Sequence, residues 1–467
     1  MKTKIYSLLI AIGLLSSCNN FLDVDMKGKV VPKTVEDYDE MLNDPIRFLV
    51  QNPNYMIPEL DLTAEEIPGL ASKDIKAYRW DAYQYLSGEN DDDYSGLYSR
   101  IYAANEIINH IDEAESVMGN EKLRMEVKGQ AHADRACCYW TLVNLYGYPY
   151  SKVNEDKLGV SLILENDLAQ KSKRATVGEV YAQICQDLRV AAALAPEKVA
   201  PLKKLRASRQ AVYAFQAKVW LYMNQIDSAE VAIGKALETE PVLYDYNSFV
   251  NQSELDKPQR PCAENGTRPR LNAEKNDEII WYSPIYYYSF AMNPATVSQN
   301  LVDLFNPDED LRYILEYGNV DPFTGITYER VRYFASSGVR TYLICSAEMY
   351  LLKAEILARK GDYANAMIAL NALREKRYLT GSDYSLSATD AADALKKVKE
   401  ERAREWACTF MTWFDLRRYQ AYGETIPTFQ RQVGDQTYTL APGSNLYTLS
   451  IPPYVIEKNP NIEQNPR

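Results

Sequence analysis

The chain has 467 residues, of which 46% are hydrophobic and 25% are charged, so its composition is that of a globular protein and excludes a disordered one. Asp and Glu outnumber Lys and Arg by 64 to 52, which argues against nucleic acid as a partner. Tyrosine is the exception, with 36 Tyr against 11 Phe. Because a buried tyrosine hydroxyl needs a hydrogen-bond partner and a phenylalanine ring does not, this excess favours aromatic surface.

Residues 1–17 are typical of a secretory signal, with two lysines before an apolar run at residues 5–15. That run is too short to span a bilayer. Small residues directly before Cys18 resemble a bacterial lipobox, in which cleavage leaves the cysteine as an acylated first residue. We therefore expect residues 1–17 to be removed and lipid chains on Cys18 to hold the protein at a membrane surface.

The segment after Cys18 predicts an extended tether and then a short helix that begins near Thr34, with acidic residues in its first turn. Residues 52–93 are polar and aromatic with scattered prolines, and they predict a loop. A long insertion of this kind inside a compact protein is more often functional than accidental.

Three stretches carry the pattern of a tetratricopeptide helical hairpin. The first is split by loop-like sequence, with one helix around Trp140 and a second that ends near Pro196; the next follows at residues 211–241. The clearest is residues 343–377, where Gly361 suits a helix end and Asp362 can cap the next helix. Repetition at this spacing predicts a mainly α, tetratricopeptide-like solenoid with loop-rich insertions.

The second half of the chain alternates loop and helix. Polar sequence from residue 251 predicts a surface loop, and an aromatic run at residues 278–290 predicts a short strand followed by a loop. Beyond Asp390 the pattern predicts one long helix. Near the end, two alternating segments flank Gly434 and Asp435, which predicts a β-hairpin with a two-residue turn.

Two aromatic clusters are the candidate ligand site. A sugar ring has an apolar face and a rim of hydroxyls, so a protein that binds one needs exposed flat rings beside amides, carboxylates or guanidinium groups. Core packing is the alternative for any single ring. The candidate residues are Tyr78, Arg79, Trp80, Asp81, Tyr83 and Tyr85 in the first cluster, and Trp281, Tyr282, Tyr286, Tyr287 and Tyr288 in the second.

No catalytic motif is present, and we expect no cofactor and no metal. His110 and His132 lie on predicted helices, where structural roles are expected. The acids at Asp91 and Asp93 have the opening spacing of a calcium loop, but Tyr102 stands where a bidentate glutamate is needed. They suit a helix N-terminus instead, with Ser95 able to cap.

Other charged residues and the cysteines also favour structural roles. The acids Glu400, Glu401 and Glu405 lie among arginines at spacings of three and four, which predicts surface ion pairs on a helix. After the signal, the cysteines form no C-x-x-C pair, so we expect buried free thiols.

Six segments resemble the signatures of the SusD/RagB family of surface lipoproteins, in the family's order. They are CNNFLDV, LYSRIYAANEII, RATVGEVYAQICQDL, AEMYLLKAEILARKGDYANAMIALNALR, EERAREWACTFMTWFDLRR and IPPYVIEKNPNIEQNP. The resemblance implies a helical body of about four tetratricopeptide-like pairs with a few short strands. It also implies a loop-rich face that carries the ligand site, and a role as mobile lid on a TonB-dependent outer-membrane transporter.

The resemblance covers the whole chain, so we expect one body at residues 18–467, with an N-terminal region to residue 250 and a C-terminal region from residue 251. The leading hypothesis is a non-catalytic glycan-binding lipoprotein, anchored in the outer membrane and facing outward, which passes oligosaccharide to a SusC-like transporter. A peptide-binding lipoprotein of the same architecture and a glycoside hydrolase are the alternatives.

Overall fold

The computed structural model describes residues 32–43, 55–116, 119–167, 171–251, 253, 255, 276–282, 295–322, 324–334 and 342–467. Most of the regular structure in these ranges is helical, which confirms the predicted fold class. The helices are α1 (Val35–Met41), α2 (Ser72–Tyr78), α3 (Asp92–His110), α4 (Glu121–Tyr146), α5 (Val177–Leu194), α6 (Arg209–Tyr222), α7 (Ile226–Ala236), α8 (Gln299–Val302), α9 (Leu311–Glu316), α10 (Ser346–Arg359), α11 (Tyr363–Glu375), α12 (Ala391–Glu405), α13 (Phe410–Ala421) and α14 (Pro453–Lys458).

The strands are short and antiparallel. They are β1 (Ile279–Tyr282), β2 (Ala295–Thr296), β3 (Tyr317–Val320), β4 (Thr327–Tyr333), β5 (Tyr342–Cys345), β6 (Phe429–Val433) and β7 (Gln436–Leu440). β1 pairs with β5, and β4 lies between β2 and β3. β6 and β7 form the predicted hairpin, in which Val433 pairs with Gln436 and Gly434 has a φ of +60°.

The helical hairpins form where the repeat pattern predicts them: α4 packs on α5, α6 on α7 and α10 on α11. At the last turn Gly361 has a φ of +89°, a left-handed conformation that glycine adopts without strain. Asp362 then caps α11, because its carboxylate accepts a hydrogen bond from the backbone N–H of Asn365. The turn chemistry read from the sequence is therefore confirmed.

Other helix starts also use short polar side chains. Thr34 and Asp37 form a reciprocal capping box at α1, with N···O distances of 2.9 and 3.1 Å. Asp91 caps α3 by accepting from the N–H groups of Asp93 and Tyr94, whereas the hydroxyl of Ser95 donates back to the Asp91 carbonyl oxygen. The cap of α3 is thus Asp91 and not Ser95.

A large hydrophobic core joins the helical pairs. Trp140 on α4 is central, since its ring makes edge-to-face contacts with Phe215, Tyr222 and Phe414 at centroid distances of 5.1 to 5.5 Å. These rings come from α6 and α13, so residues far apart in the sequence close around one tryptophan.

Two secondary-structure predictions were wrong in part. The loop predicted over residues 52–93 contains α2 and a 3₁₀ turn at Ile67–Gly69. The long helix predicted beyond Asp390 is two helices, because Cys408 has a φ of +57° and Thr409 caps α13 by accepting from the Met411 N–H. Both Cys408 and Thr409 are buried, so packing overrides the helical pattern there.

The predicted surface ion pairs on α12 are mostly a buried network. Glu405 lies 3.1 Å from Arg312 and 3.2 Å from Arg377, and all three side chains are buried. Burial alone would raise the pKa of Glu401, but Arg312 and its neighbouring arginines lower that pKa to about 2. Of the three acids, Glu400 is the partly exposed one, 3.9 Å from Lys396. The acids are ion-paired as predicted, but the helical spacing did not give the partners: Arg404 pairs with Glu401, and Arg402 pairs with Glu348. The expectation that the acids are exposed was wrong for Glu401 and Glu405.

Candidate ligand-binding groove

Trp80 and Tyr78 of the first predicted cluster are in the core. Trp80 is 2% exposed, and its indole N–H donates to the Met56 carbonyl oxygen at 2.7 Å. Tyr78 is fully buried, and its hydroxyl oxygen accepts from the Leu62 N–H at 2.8 Å. Their polar atoms are satisfied by backbone of residues 55–62, so the expectation that these rings face solvent was wrong.

Arg431 on β6 packs against the buried rings of Tyr78 and Trp80. Its guanidinium lies 4.1 Å from the ring centroid of Tyr78 and 4.2 Å from that of Trp80. It also donates to the carbonyl oxygens of Tyr55, Ile57 and Tyr78. Burial lowers the pKa of Arg431 to about 10. The first cluster is therefore a packed structural unit around a buried cation.

The remaining members of that cluster divide between surface and core. Arg79 and Asp81 are partly exposed and pair with each other at 2.5 Å. Tyr83 is 51% exposed, whereas Tyr85 is buried. Arg79, Asp81 and Tyr83 thus reach solvent and stay candidates for ligand contact.

The second cluster is described only in part. Trp281 on β1 has no exposed surface, and its indole N–H donates to the Leu205 carbonyl oxygen at 3.1 Å. Tyr282 is also buried, so the expectation of exposure was wrong for both. Tyr286, Tyr287 and Tyr288 lie outside the described residues, as does Cys18.

An open groove of about 550 Å³ lies between α3 and α14, a size that suits a small organic ligand. It combines aromatic rings with hydroxyl, amide and ammonium groups. On one side the lining residues are Asn90, which precedes α3, and Tyr94, Ser95, Tyr98, Ser99 and Tyr102 on α3. On the other side they are Tyr454, Val455 and Lys458 on α14, and Asn459, which follows it.

One wall is a tyrosine stripe on α3. Tyr94, Tyr98 and Tyr102 recur every four residues, so they share a helix face. Tyr94 is 6% exposed and packs edge-on against Tyr146, whereas Tyr102 is 45% exposed. Tyr98 lies between them, 4.8 Å from Tyr94 by ring centroids. The stripe therefore runs from the core to the open surface.

The hydroxyls at the buried end of the stripe stay protonated. Burial raises the pKa of Tyr94 to about 12 and that of Tyr98 well above its usual value. The Tyr98 hydroxyl donates to the Ser161 carbonyl oxygen at 2.9 Å, which fixes its ring. The wall thus presents rings held in place by neutral hydroxyls.

The opposite wall is the short helix α14. Tyr454 is 41% exposed, and the ammonium of Lys458 lies 5.4 Å from its ring centroid. Glu457 on the same helix accepts hydrogen bonds from the Ser87 hydroxyl and the Gly88 N–H, so the loop after Tyr83 is tied to α14. Asn459 donates to the Ser172 carbonyl oxygen at 2.8 Å, which fixes the end of the helix.

Flat rings beside polar groups can bind a ligand that has an apolar face and a hydroxylated edge. Tyr102 and Tyr454 are the exposed rings of the groove, and Asn90, Ser95 and Ser99 supply amide and hydroxyl groups. No carboxylate is found among the described lining residues, so the paired acids needed for glycoside hydrolysis do not meet there.

Sequence reasoning missed this groove. Its α3 wall was visible as a tyrosine stripe at helical spacing, in the segment 94–102, but such a stripe is more often core. The α14 wall had no comparable signal, because it comes from a segment more than 300 residues further along the chain.

His132 and the acids at the start of α3 have structural surroundings, whereas His110 is exposed and lies 3.9 Å from Glu106. His132 is buried, and its Nδ1 lies 2.8 Å from Asp187, which also pairs with Arg135. Asp91 caps α3 and accepts from the Tyr146 hydroxyl at 2.5 Å. No group of three or more metal-ligating side chains occurs in the ranges that the structure describes.

Two family models match the chain. The model described as "Starch-binding associating with outer membrane" matches residues 20–221, and the SusD family model matches residues 332–467. Together these matches cover most of the chain in the order that the sequence signatures predict. The chain belongs to the SusD/RagB family. A comparison with curated protein sequences gives no match.

Solved structures of SusD superfamily proteins share this fold. A putative sugar binding protein from Bacteroides vulgatus is 20% identical, with 94% of this chain and 99% of that chain covered and a TM-score of 0.69. SusD superfamily proteins from Bacteroides thetaiotaomicron and Bacteroides vulgatus are 19% and 20% identical. Each of these matches covers 93% of this chain, with 100% and 99% of the other chains and TM-scores of 0.70 and 0.71.

None of the described helices combines the length and the apolar character needed to cross a membrane.

Proposed function

We propose that this SusD/RagB protein binds glycans at the cell surface and that the groove between α3 and α14 is its ligand site. The observation that carries the proposal is the pairing of two exposed rings, Tyr102 and Tyr454, with amide and hydroxyl groups across one open groove. Stacking of sugar faces on these rings supplies affinity, and the polar neighbours orient the hydroxyls. The family to which the chain belongs and the printed description of its matching model support a carbohydrate ligand.

The groove is tested by removing its exposed rings one at a time. A glycan array identifies a ligand, and calorimetric titration then compares Tyr102→Ala and Tyr454→Ala with the unchanged protein. Loss of one stacking ring costs about 1.4 kcal/mol, so each variant should bind about tenfold more weakly with little loss of stability. Tyr363→Ala is the matched control, since Tyr363 is 40% exposed on α11 and is not among the residues lining the groove.

The same experiment separates the alternatives. Full affinity in both groove variants would contradict the assignment of the site. Binding of extended peptides with no glycan bound would favour a peptide-binding lipoprotein, and release of reducing sugar from a bound glycan would favour a glycoside hydrolase.

We further propose that the protein is anchored in the outer membrane by acylated Cys18, faces outward, and passes its ligand to a TonB-dependent transporter of the SusC type. The lipobox-like sequence before Cys18 and membership of the SusD/RagB family support this role. Mass spectrometry of the mature N-terminus should find a lipid-modified cysteine, and the protein should co-purify with a transporter. An unmodified N-terminus elsewhere would contradict the anchor.

A further inference from the structure

The charge of the groove differs from that of the chain as a whole. Although the protein carries a formal charge of −12, the described residues that line the groove include one cation, Lys458, and no carboxylate. Lys458 is exposed, and its ammonium lies 5.4 Å from the ring centroid of Tyr454. The described lining of the groove therefore carries a positive formal charge, although the protein as a whole is acidic.

Lys458 also differs from other lysines that lie near acids. Lys360 pairs with Glu230 at 2.6 Å, and Lys397 pairs with Asp393 at 2.7 Å. Across the described ranges no carboxylate lies within ion-pair distance of Lys458; its helix neighbour Glu457 is instead bonded to the 87–88 loop. Its charge is thus free to meet a ligand.

A second cation lies behind the tyrosine wall. Arg174 is buried, and its hydrogen bonds go to the carbonyl oxygens of Tyr146, Leu158, Gly159 and Glu463, with no carboxylate at hydrogen-bond distance among the described residues. It is close enough to Tyr94 and Tyr98 to act on the pKa of both hydroxyls. Neutral carbonyl dipoles do not neutralise the guanidinium, so its field adds to that of Lys458, although the Glu463 carboxylate acts on Arg174 and reduces this field.

Two carboxylates oppose this field. Glu463 acts electrostatically on Arg174 but is not among the residues that line the groove. Asp91 acts on Tyr94 in the opposite direction, but its oxygens accept from the Tyr146 hydroxyl and from the backbone N–H groups at the start of α3. It is 1% exposed and does not line the groove, so a bound ligand meets Lys458 and not Asp91.

We propose that the groove selects glycans that carry an anionic substituent, a uronate carboxylate or a sulfate ester, and that Lys458 receives this group. The inference rests on the proposed function of the groove and adds the class of its ligand. The rings stack on the sugar faces, and the ammonium pairs with the anionic group at the mouth of the groove. Neutral glycans of the same backbone bind more weakly, because they leave the cation without a partner.

The test uses a glycan array of neutral, uronate-containing and sulfated oligosaccharides, followed by titration of the best ligand against Lys458→Gln. Binding of an anionic glycan should weaken about tenfold in the variant and should fall with added salt. Lys235→Gln is the matched control, since Lys235 lies 5.2 Å from the Tyr213 ring centroid on another helical pair. Carboxyl reduction and desulfation of the bound glycan then tell a uronate from a sulfate.

The outcomes separate this inference from the proposed function. If neutral glycans bind best and Lys458→Gln changes nothing, while Tyr102→Ala still weakens binding, the anionic class is wrong and the glycan site stands. If no glycan binds, both are wrong. Preference for anionic glycans that is lost in Lys458→Gln and kept in Lys235→Gln is the result that supports the inference.

Discussion

Trp80 shows how a residue can be misread from its neighbours. A tryptophan between Arg79 and Asp81 in polar sequence indicates a solvent-facing ring. In the structure its indole N–H instead donates to the Met56 carbonyl oxygen, and the Arg431 guanidinium packs on the face of the ring. Trp80 also has a backbone φ of +55°, a left-handed conformation that residues other than glycine rarely adopt. Local sequence could not predict the burial of Trp80, because Arg431 lies on β6, 351 residues further along the chain.

Truncation of Trp80 should therefore affect stability first. We expect Trp80→Ala to lower the free energy of unfolding by ~3–5 kcal/mol, since it empties a buried site and leaves the Met56 carbonyl without its donor. Tyr83→Ala is the control, because Tyr83 is 51% exposed, and it should change stability by less than about 0.5 kcal/mol. Denaturant unfolding of the two variants measures the difference, and equal stabilities would contradict the packing described.

Glu59 predicts a pH dependence of stability. Burial raises the pKa of its carboxyl to about 7, only partly offset by a hydrogen bond with Thr412. Its Oε2 has no hydrogen-bond partner among the described residues. The folded state thus holds the proton more tightly than the unfolded chain, whose pKa is near 4.5. The contribution of Glu59 to the free energy of unfolding is fully present below pH 4.5, and it is lost as the pH rises to about 7.

The consequence is measurable with Glu59→Gln, which keeps the shape and removes the titration. The unchanged protein should lose up to about 3 kcal/mol from this group between pH 4.5 and pH 7, and the variant should not. Unfolding by urea at pH 5 and at pH 8 should therefore show the variant gaining stability relative to the parent at the higher pH. If the difference in unfolding free energy between the variant and the parent is the same at both pH values, Glu59 is not buried as described.

At the scale of elements, local chemistry was the part that sequence could predict. The capping residues Thr34 and Asp362, the turn at Gly361 and the hairpin at Gly434 all act within a few residues, and each is confirmed. The acids of α12 show the limit of this reasoning. Their helical spacing was visible, but their arginine partners on α9 and α11 were not, so a buried network was taken for a solvated face.

The α4–α5 pair gives a test of element packing. Gly129 lies where α4 meets the end of α5, and a Cβ there would be 2.6 Å from the backbone nitrogen of Ala195. Gly129→Ala should destabilise the protein by ~1–3 kcal/mol, because the clash with backbone exceeds the ~1 kcal/mol that alanine adds to helix propensity.

The control for this prediction is Gly234→Ala on α7, where a Cβ would meet no atom within 4 Å. Alanine should stabilise the protein there by up to ~1 kcal/mol. Thermal unfolding should therefore show a lower melting temperature for Gly129→Ala and a higher one for Gly234→Ala. A stabilising Gly129→Ala would mean that α4 and α5 are not in close contact.

At the scale of the whole molecule, distant parts of the chain build each functional feature. The Leu449 N–H donates to the Leu145 carbonyl oxygen at 2.8 Å, and the Asn465 amide donates to the Tyr146 carbonyl oxygen at 2.8 Å. These bonds hold the C-terminal segment, and with it α14, beside the helices of the first half. Family signatures predicted the helical body, but only the closed fold brings Tyr454 opposite Tyr102.

A crystal structure of the protein with the glycan identified by the array tests the central claim most directly. We predict ordered sugar rings between α3 and α14, stacked on Tyr102 and Tyr454, with an anionic substituent at Lys458. An ordered glycan bound elsewhere on the protein, with the groove between α3 and α14 empty, would contradict the account.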